Sequence, residues 1–247
     1  MTAIAAHCRE LGIDGDCDII SLQTNIRFAG SGGVSMSGLD RFLAPALVIV
    51  DMQNDFVRVG APLEVPATRD TLEQHRRLID GFRRRALPVV YLRWVSIPND
   101  PYLQLLPHFS WVGNLDETIA ACRPGRMRYY SELDREADAA AVIDELAPRE
   151  GELQIDKRGY GGFLGTDLHE RLQALAVQSL IVTGVVAEIC VEDTVRQAFQ
   201  FHYRTTVVSD AVASRRPDRQ AAMLDAIAAG YGWVSTSDEV LDSLAPV

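Results

Sequence analysis

The sequence predicts an α/β fold in which a parallel sheet is covered by helices on both faces. Three observations carry the prediction. The strand candidates are nearly all apolar, as in ALVIVD (46–51) and SLIVTGV (179–185), which suits strands buried on both sides. From Pro45 onward these runs alternate with segments of helical spacing, the pattern of a βαβ sheet. A chain of 247 residues, 47% hydrophobic and 23% charged, is long enough for one large domain with a sizeable core.

The elements follow in order. ALVIVD (46–51) is the first strand and ends in an acid. LEQHRRLIDGFRRRA (72–86) sets Leu72, His75, Leu78, Ile79 and Phe82 on one face of a helix. PVVYLRWV (88–95) is the second strand. Residues 96–131 carry Pro98, Pro101, Pro107 and Pro124 and read as loop. DREADAAAVIDELA (134–147) is expected to be helical, and ELQIDK (152–157) is the third strand. A helix over 167–176 leads to the fourth strand, SLIVTGV (179–185), and EICVEDTVRQAFQFH (188–202) is a helix beginning around Cys190. TTVVSDA (205–211) is the fifth strand. The helix over 219–230 is closed by Gly230, a suitable residue just past a helix end. A short sixth strand and a last helix, with Ser237 as N-cap, complete the chain. Residues 1–40 differ: FAGSGGVSMSG is rich in glycine and serine and reads as a connector. An irregular N-terminal arm over 1–40 and a catalytic-type domain over 41–247 are therefore expected.

Bulk properties narrow the function. A formal net charge of −10 disfavours nucleic acid, which requires a basic surface. The cluster Arg76, Arg77, Arg83, Arg84 and Arg85 shares its helix with Glu73 and Asp80 and reads as a solvated face. The four cysteines, Cys8, Cys17, Cys122 and Cys190, are scattered without a CxxC pair, which points to reduced thiols. No basic segment followed by a long apolar one opens the sequence and no apolar run reaches membrane-spanning length. A cytoplasmic protein with no membrane partner is expected, and a homodimer or homotetramer with contacts from residues 1–40.

In a parallel sheet, ligands bind beyond the carboxyl ends of the strands. Three such ends carry reactive groups: Asp51, Lys157 and, just past the fourth strand, Cys190. Each has an ordinary reading alone: a turn cap, a surface lysine, a small core residue. Together on one sheet edge they make an acid or base, a cation and a nucleophile. A thiol reacts as thiolate; a helix N-terminus and a lysine stabilise that anion, and a carboxylate can take the proton. None of His7, His75, His108, His169 and His202 falls at a strand end, so a Cys–His dyad is not expected.

ALVIVDMQNDF, DKRGYGGFLGTDL and VTGVVAEICVEDTVRQAF, taken in that order, resemble the isochorismatase-like cysteine hydrolase superfamily over residues 45 to about 240. The resemblance implies a three-layer Rossmann-like fold with a six-stranded parallel sheet of order 3-2-1-4-5-6. It implies a catalytic triad of Asp51, Lys157 and Cys190, a cis peptide between Val185 and Val186, and an oxyanion hole from the Val186 and Cys190 N–H groups. Family members that bind metal carry an Asp-x-His after the second strand. This sequence has YLRWVSIPNDPYLQLLPHF there, so neither metal nor other cofactor is expected. The motifs look closest to the ureidoacrylate and carbamoyl-amide branch. The implied activity is metal-independent cleavage of a C–N bond in a small amide, ureido or carbamoyl substrate through a thioester. The alternatives are vinyl-ether hydrolysis, with Cys190 a bystander, and a catalytically silent binding member. Substrate contacts are expected from Phe56, Arg93, Trp94 and Phe163, against core packing for the aromatics and an ion pair for Arg93.

Overall fold

A computed structural model describes residues 41–109, 111, 112 and 114–244; the arm expected over 1–40 lies outside them. In chain order the elements are β1 (Pro45–Val50), α1 (Asn54–Val57), α2 (Leu72–Arg84), β2 (Val89–Trp94), α3 (Leu115–Ile119), β3 (Met127–Tyr130), β4 (Arg135–Asp138) and β5 (Leu153–Lys157). Then come α4 (Leu168–Ala174), β6 (Ser179–Val185), α5 (Glu192–Gln200), β7 (Arg204–Ala213), α6 (Pro217–Gly230), β8 (Trp233–Ser235) and α7 (Ser237–Ser243). Six strands form one parallel sheet in the order β5-β2-β1-β6-β7-β8. Numbered among themselves these strands run 3-2-1-4-5-6, as expected.

Alternation along β1 explains the three layers. Leu47 and Ile49 belong to one apolar cluster with Leu78, Ile79 and Phe82 of α2 and Val240 of α7. Ala46, Val48 and Val50 belong to the other, with Leu172 of α4, Val195 of α5 and Ile227 of α6. Successive strand residues point to opposite faces, so a continuous apolar run feeds both. Each large aliphatic side chain buried here contributes about 1.5–3 kcal/mol. The strand order reverses between β1 and β6, which makes their carboxyl ends the switch point of the sheet. At Gly184 the two strands approach so closely that a Cβ would lie 2.0 Å from the Val50 carbonyl oxygen, and φ is +109°. Only glycine fits there.

The structure corrects several local expectations. Residues 134–147 are not a helix: β3 and β4 form an antiparallel hairpin, followed by a turn and a short 3-10 segment at Asp144–Leu146. The alanines favour a helix by propensity, but tertiary hydrogen bonds hold the chain open. Gln53 Nε2 donates to Ala140 O, Asn54 Nδ2 donates to Asp138 O, and the Asn54 N–H donates to Ala141 O. Tertiary context overrides a weak local preference. Gly230 lies inside α6 rather than past it. The cap of α7 is Thr236, in a reciprocal capping box with Glu239, because the Ser237 hydroxyl is taken by Asp210. The strand expected over 205–211 runs on to Ala213. The arginines of α2 are a charged surface, as expected, with Arg77 paired to Asp238 and Arg83 to Glu152.

Candidate active site

Asp51 leaves β1 with φ of +54°, turning its side chain across the end of β2. One carboxylate oxygen, Oδ1, accepts the Trp94 N–H at 2.8 Å; the other, Oδ2, accepts from Lys157 Nζ at 2.8 Å. Gln53 clamps the same strand end, its Nε2 donating to Trp94 O and its Oε1 accepting the Trp94 N–H, both at 2.9 Å. Lys157 ends β5 and also donates to Gly159 O at 3.4 Å. Both Asp51 and Lys157 are wholly buried.

Cys190 follows β6 and lies in a single π turn, Ala187–Val191, that precedes α5. The sequence reading placed it at the start of an α-helix; the wider turn arises where the Val191 N–H reaches back to Val186 O at 3.2 Å. The peptide between Val185 and Val186 is cis, at the position the resemblance implied. Two polar residues of α5 tie this segment to the glycine-rich loop after β5. The Thr194 hydroxyl donates to Cys190 O and accepts the Gly162 N–H. Gln197 Oε1 accepts the N–H groups of Phe163 and Leu164. The second and third sequence motifs are therefore one packed unit.

The Cys190 thiol interacts with both Asp51 and Lys157, so the three strand-end groups meet. Burial pushes the thiol well above its usual range, the Lys157 charge pulls it down, and the Asp51 charge pushes it up again. Burial likewise makes Asp51 a stronger base than an ordinary carboxylate, with the Lys157 charge opposing. Burial disfavours the Lys157 ammonium, yet the adjacent Asp51 carries its pKa above the ordinary lysine value. Cys190 thus sits, its thiol pKa raised, beside a strengthened base and a cation.

Cys190 opens into a cavity of about 460 Å³ whose wall includes Phe56, Trp94, Trp111, Tyr160 and Val186. Phe56 and Trp94 meet edge to face at 6.4 Å, and the indole N–H donates to Arg158 O at 2.9 Å. These two expected contacts both belong to the apolar core and face the cavity. The other two do not line it. Arg93 points along the sheet edge and pairs with Asp156 on β5 at 2.7 Å, because alternation turns it away from Trp94. Phe163 packs on the opposite face, stacked on Phe201 at 5.1 Å and against Tyr203.

The sequence reading missed the charged part of the wall: Glu188, Arg215, Arg216 and Arg219. Arg215 and Arg216 lie just beyond the end of β7, so the strand-end rule that found Asp51 and Lys157 applied to them too. Arg215 Nε donates to Glu64 O at 2.6 Å. Among the described residues no carboxylate comes within ion-pair distance of it; burial pulls its pKa down, against the attraction of Glu64 and Glu188. Cys122 and Cys190 are free buried thiols. Among the described residues, no group of three histidines, cysteines or acids converges as a metal site, and no helix is long and apolar enough to cross a membrane.

Fold and site together define a hydrolase of the α/β class with a buried cysteine at the sheet's switch point. Residues 45–239 match the isochorismatase domain family, and the chain belongs to that family. It is 31% identical over 217 residues to the ureidoacrylate amidohydrolase RutB of Yersinia enterocolitica, covering 82% of this chain and 90% of the relative. The RutB of Stutzerimonas stutzeri is 29% identical over 81% of this chain and 82% of its own. Among solved structures, the N-carbamoylsarcosine amidase of Thermoplasma acidophilum is 33% identical with a TM-score of 0.63, covering 79% of this chain and 98% of that one. A cysteine hydrolase from Pseudomonas syringae pv. phaseolicola superposes with a TM-score of 0.67 at 28% identity, over 81% of this chain and 92% of its own.

Proposed function

We propose that the protein is a metal-independent cysteine amidohydrolase that cleaves a C–N bond of a small amide, ureido or carbamoyl substrate through a thioester. The observation that carries the reading is the buried Asp51–Lys157 pair at 2.8 Å with the Cys190 thiol against it. Names of the relatives, an amidohydrolase and an amidase, point the same way.

The chemistry follows from the placement of the three groups. The substrate carbonyl enters the cavity above Cys190. As sulfur bonds to the carbonyl carbon, its proton passes to Asp51, whose raised basicity suits the transfer. The carbonyl π pair moves to oxygen, where the N–H groups of Val186 and Cys190 receive the developing charge. Lys157 holds the carboxylate in place and offsets the negative charge gathering on sulfur. Collapse of the tetrahedral intermediate breaks the C–N bond, and Asp51 returns its proton to the departing nitrogen. Water then adds to the thioester with Asp51 again as base, and the acid product leaves as the thiol re-forms. The arginines beyond β7 suit a substrate with an anionic end, with Arg215, exposed and without an ion-pair partner among the described residues, as the principal contact.

The test is ammonia release across small amides and ureido acids after exhaustive chelation, with Cys190→Ser as the paired variant. Undiminished activity of the chelated parent and a loss of roughly a thousandfold or more in the variant are expected. Activity lost on chelation and restored by zinc or iron overturns metal independence. A serine variant near the parent rate overturns the nucleophile.

A further inference from the structure

Glu188 stands two residues before Cys190 and forms part of the cavity wall. Its side chain makes no hydrogen bond to the described residues, and its Oε2 is shut off from solvent without a partner. Arg215 and Arg216 attract it through space, but neither reaches ion-pair distance. Every other carboxylate with a part in the site is satisfied: Asp51 by Trp94 and Lys157, and Asp55, behind it, by Cys122, Arg128 and Tyr130. A buried carboxylate oxygen without a donor is costly. In a cavity wall beside a nucleophile, a bound molecule that brings the donor removes that cost.

We infer that Glu188 is a specificity-determining residue that accepts a hydrogen bond from a substrate N–H beside the scissile carbonyl, selecting ureido compounds over simple amides. The inference rests on the amidohydrolase reading above and names the substrate class within it. An amide offers only carbon on the acyl side of its carbonyl, whereas a ureido group offers an N–H there. Among the described residues, Glu188 is the one carboxylate in the cavity wall. Arg215, whose Nε donates to Glu64 O but whose charge has no ion-pair partner among the described residues, supplies the opposite charge in the same wall, so a ureido acid meets both groups at once: its N–H on Glu188 and its carboxylate on Arg215. A site that hydrogen-bonds a substrate N–H discriminates strongly against the analogue lacking it, because the protein group is then left unpaired.

The experiment compares 3-ureidopropionate with glutaramate, which replaces the internal N–H by CH₂ and keeps the carboxylate at the same distance. kcat/KM is measured for both in the parent, Glu188→Leu and Glu188→Gln. Taking the ratio within each enzyme cancels the intrinsic difference between urea and amide reactivity. Glu188→Leu is expected to cut the ureido-to-amide ratio roughly 10- to 100-fold, the effect of a charge-assisted hydrogen bond. Glu188→Gln, which keeps an acceptor oxygen and the side chain's shape, is expected to recover part of it. An unchanged ratio in both variants overturns the inference while leaving the hydrolase reading standing. A parent that hydrolyses neither compound, with Cys190 intact by mass, overturns both.

Discussion

Two sets of charged residues around Cys190, the pair buried at the sheet end and the groups in the cavity wall, treat charge in opposite ways. At the sheet end, Asp51 and Lys157 are wholly buried and bonded to each other, with Trp94 and Gly159 supplying further partners. At the outer end, Glu188 and Arg215 feel one another without pairing. Burial of the first pair costs several kcal/mol of desolvation per ion that only tight mutual contact offsets, so this geometry is fixed before any ligand arrives. The outer pair keeps its bonding capacity for something else. On the proposed reading, the difference separates a reaction centre, preorganised by the protein, from a recognition surface that the substrate completes.

The largest effects should come from the inner pair, and its two members should part company. Asp51→Asn removes the charge that pushes the thiol up. Cys190 should then alkylate faster at neutral pH while turnover falls roughly a hundredfold or more for want of its base. Lys157→Met removes the charge that pulls the thiol down. Below the thiol pKa, alkylation rises tenfold per pH unit, so the variant's profile should shift to higher pH and recover only in alkaline buffer. It should also lose about 3–5 kcal/mol of stability, the usual consequence of stripping one partner from a buried ion pair, read by denaturant unfolding. Iodoacetamide rates against pH in the three enzymes decide the matter. Shifts in the same direction for both variants would break the assignment of opposite roles.

The outer end should show a smaller effect of another kind. Arg215→Met should raise KM for a substrate with a carboxylate roughly 10- to 100-fold, with a much smaller change in alkylation of Cys190 by neutral iodoacetamide. Equal losses with charged and uncharged substrates would mean that Arg215 supports the fold, through its bond to Glu64 O, rather than the ligand.

The same contrast marks what was legible in the sequence. Strands buried on both faces announce themselves as apolar runs, and the residues beyond them stand out: Asp51 and Cys190 could be named because each follows such a run, and Lys157 because it ends the alternating edge strand ELQIDK. The motifs resembling a known family then supplied the strand order. Arg215 escaped because the polar pair Ser209–Asp210 reads as the end of the strand, whereas β7 continues through Ala211, Val212 and Ala213 and brings Arg215 to its end. Glu188 escaped because an acid at the start of a helix reads as a favourable dipole partner and nothing in one sequence shows that it lacks a donor. The hairpin of β3 and β4 escaped because its conformation is set by Gln53 and Asn54, more than eighty residues away from the carbonyls they hold. Arg93, near the end of the second strand, and Phe163, within the second motif, read as substrate contacts, whereas side-chain alternation pairs Arg93 with Asp156 and Phe163 packs on Phe201 and Tyr203.

The central claim is that Cys190 becomes the acyl carrier, and a rapid-quench experiment addresses it most directly. The parent enzyme is mixed with a hydrolysed substrate, quenched in acid within the first turnover and digested, and the peptide carrying Cys190 is weighed by mass spectrometry. The account predicts an adduct with the mass of the substrate's acyl or carbamoyl portion, confined to Cys190, discharged by hydroxylamine and absent when Cys190→Ser replaces the parent. Turnover at full rate with no adduct under any quench, together with an active serine variant, would contradict it.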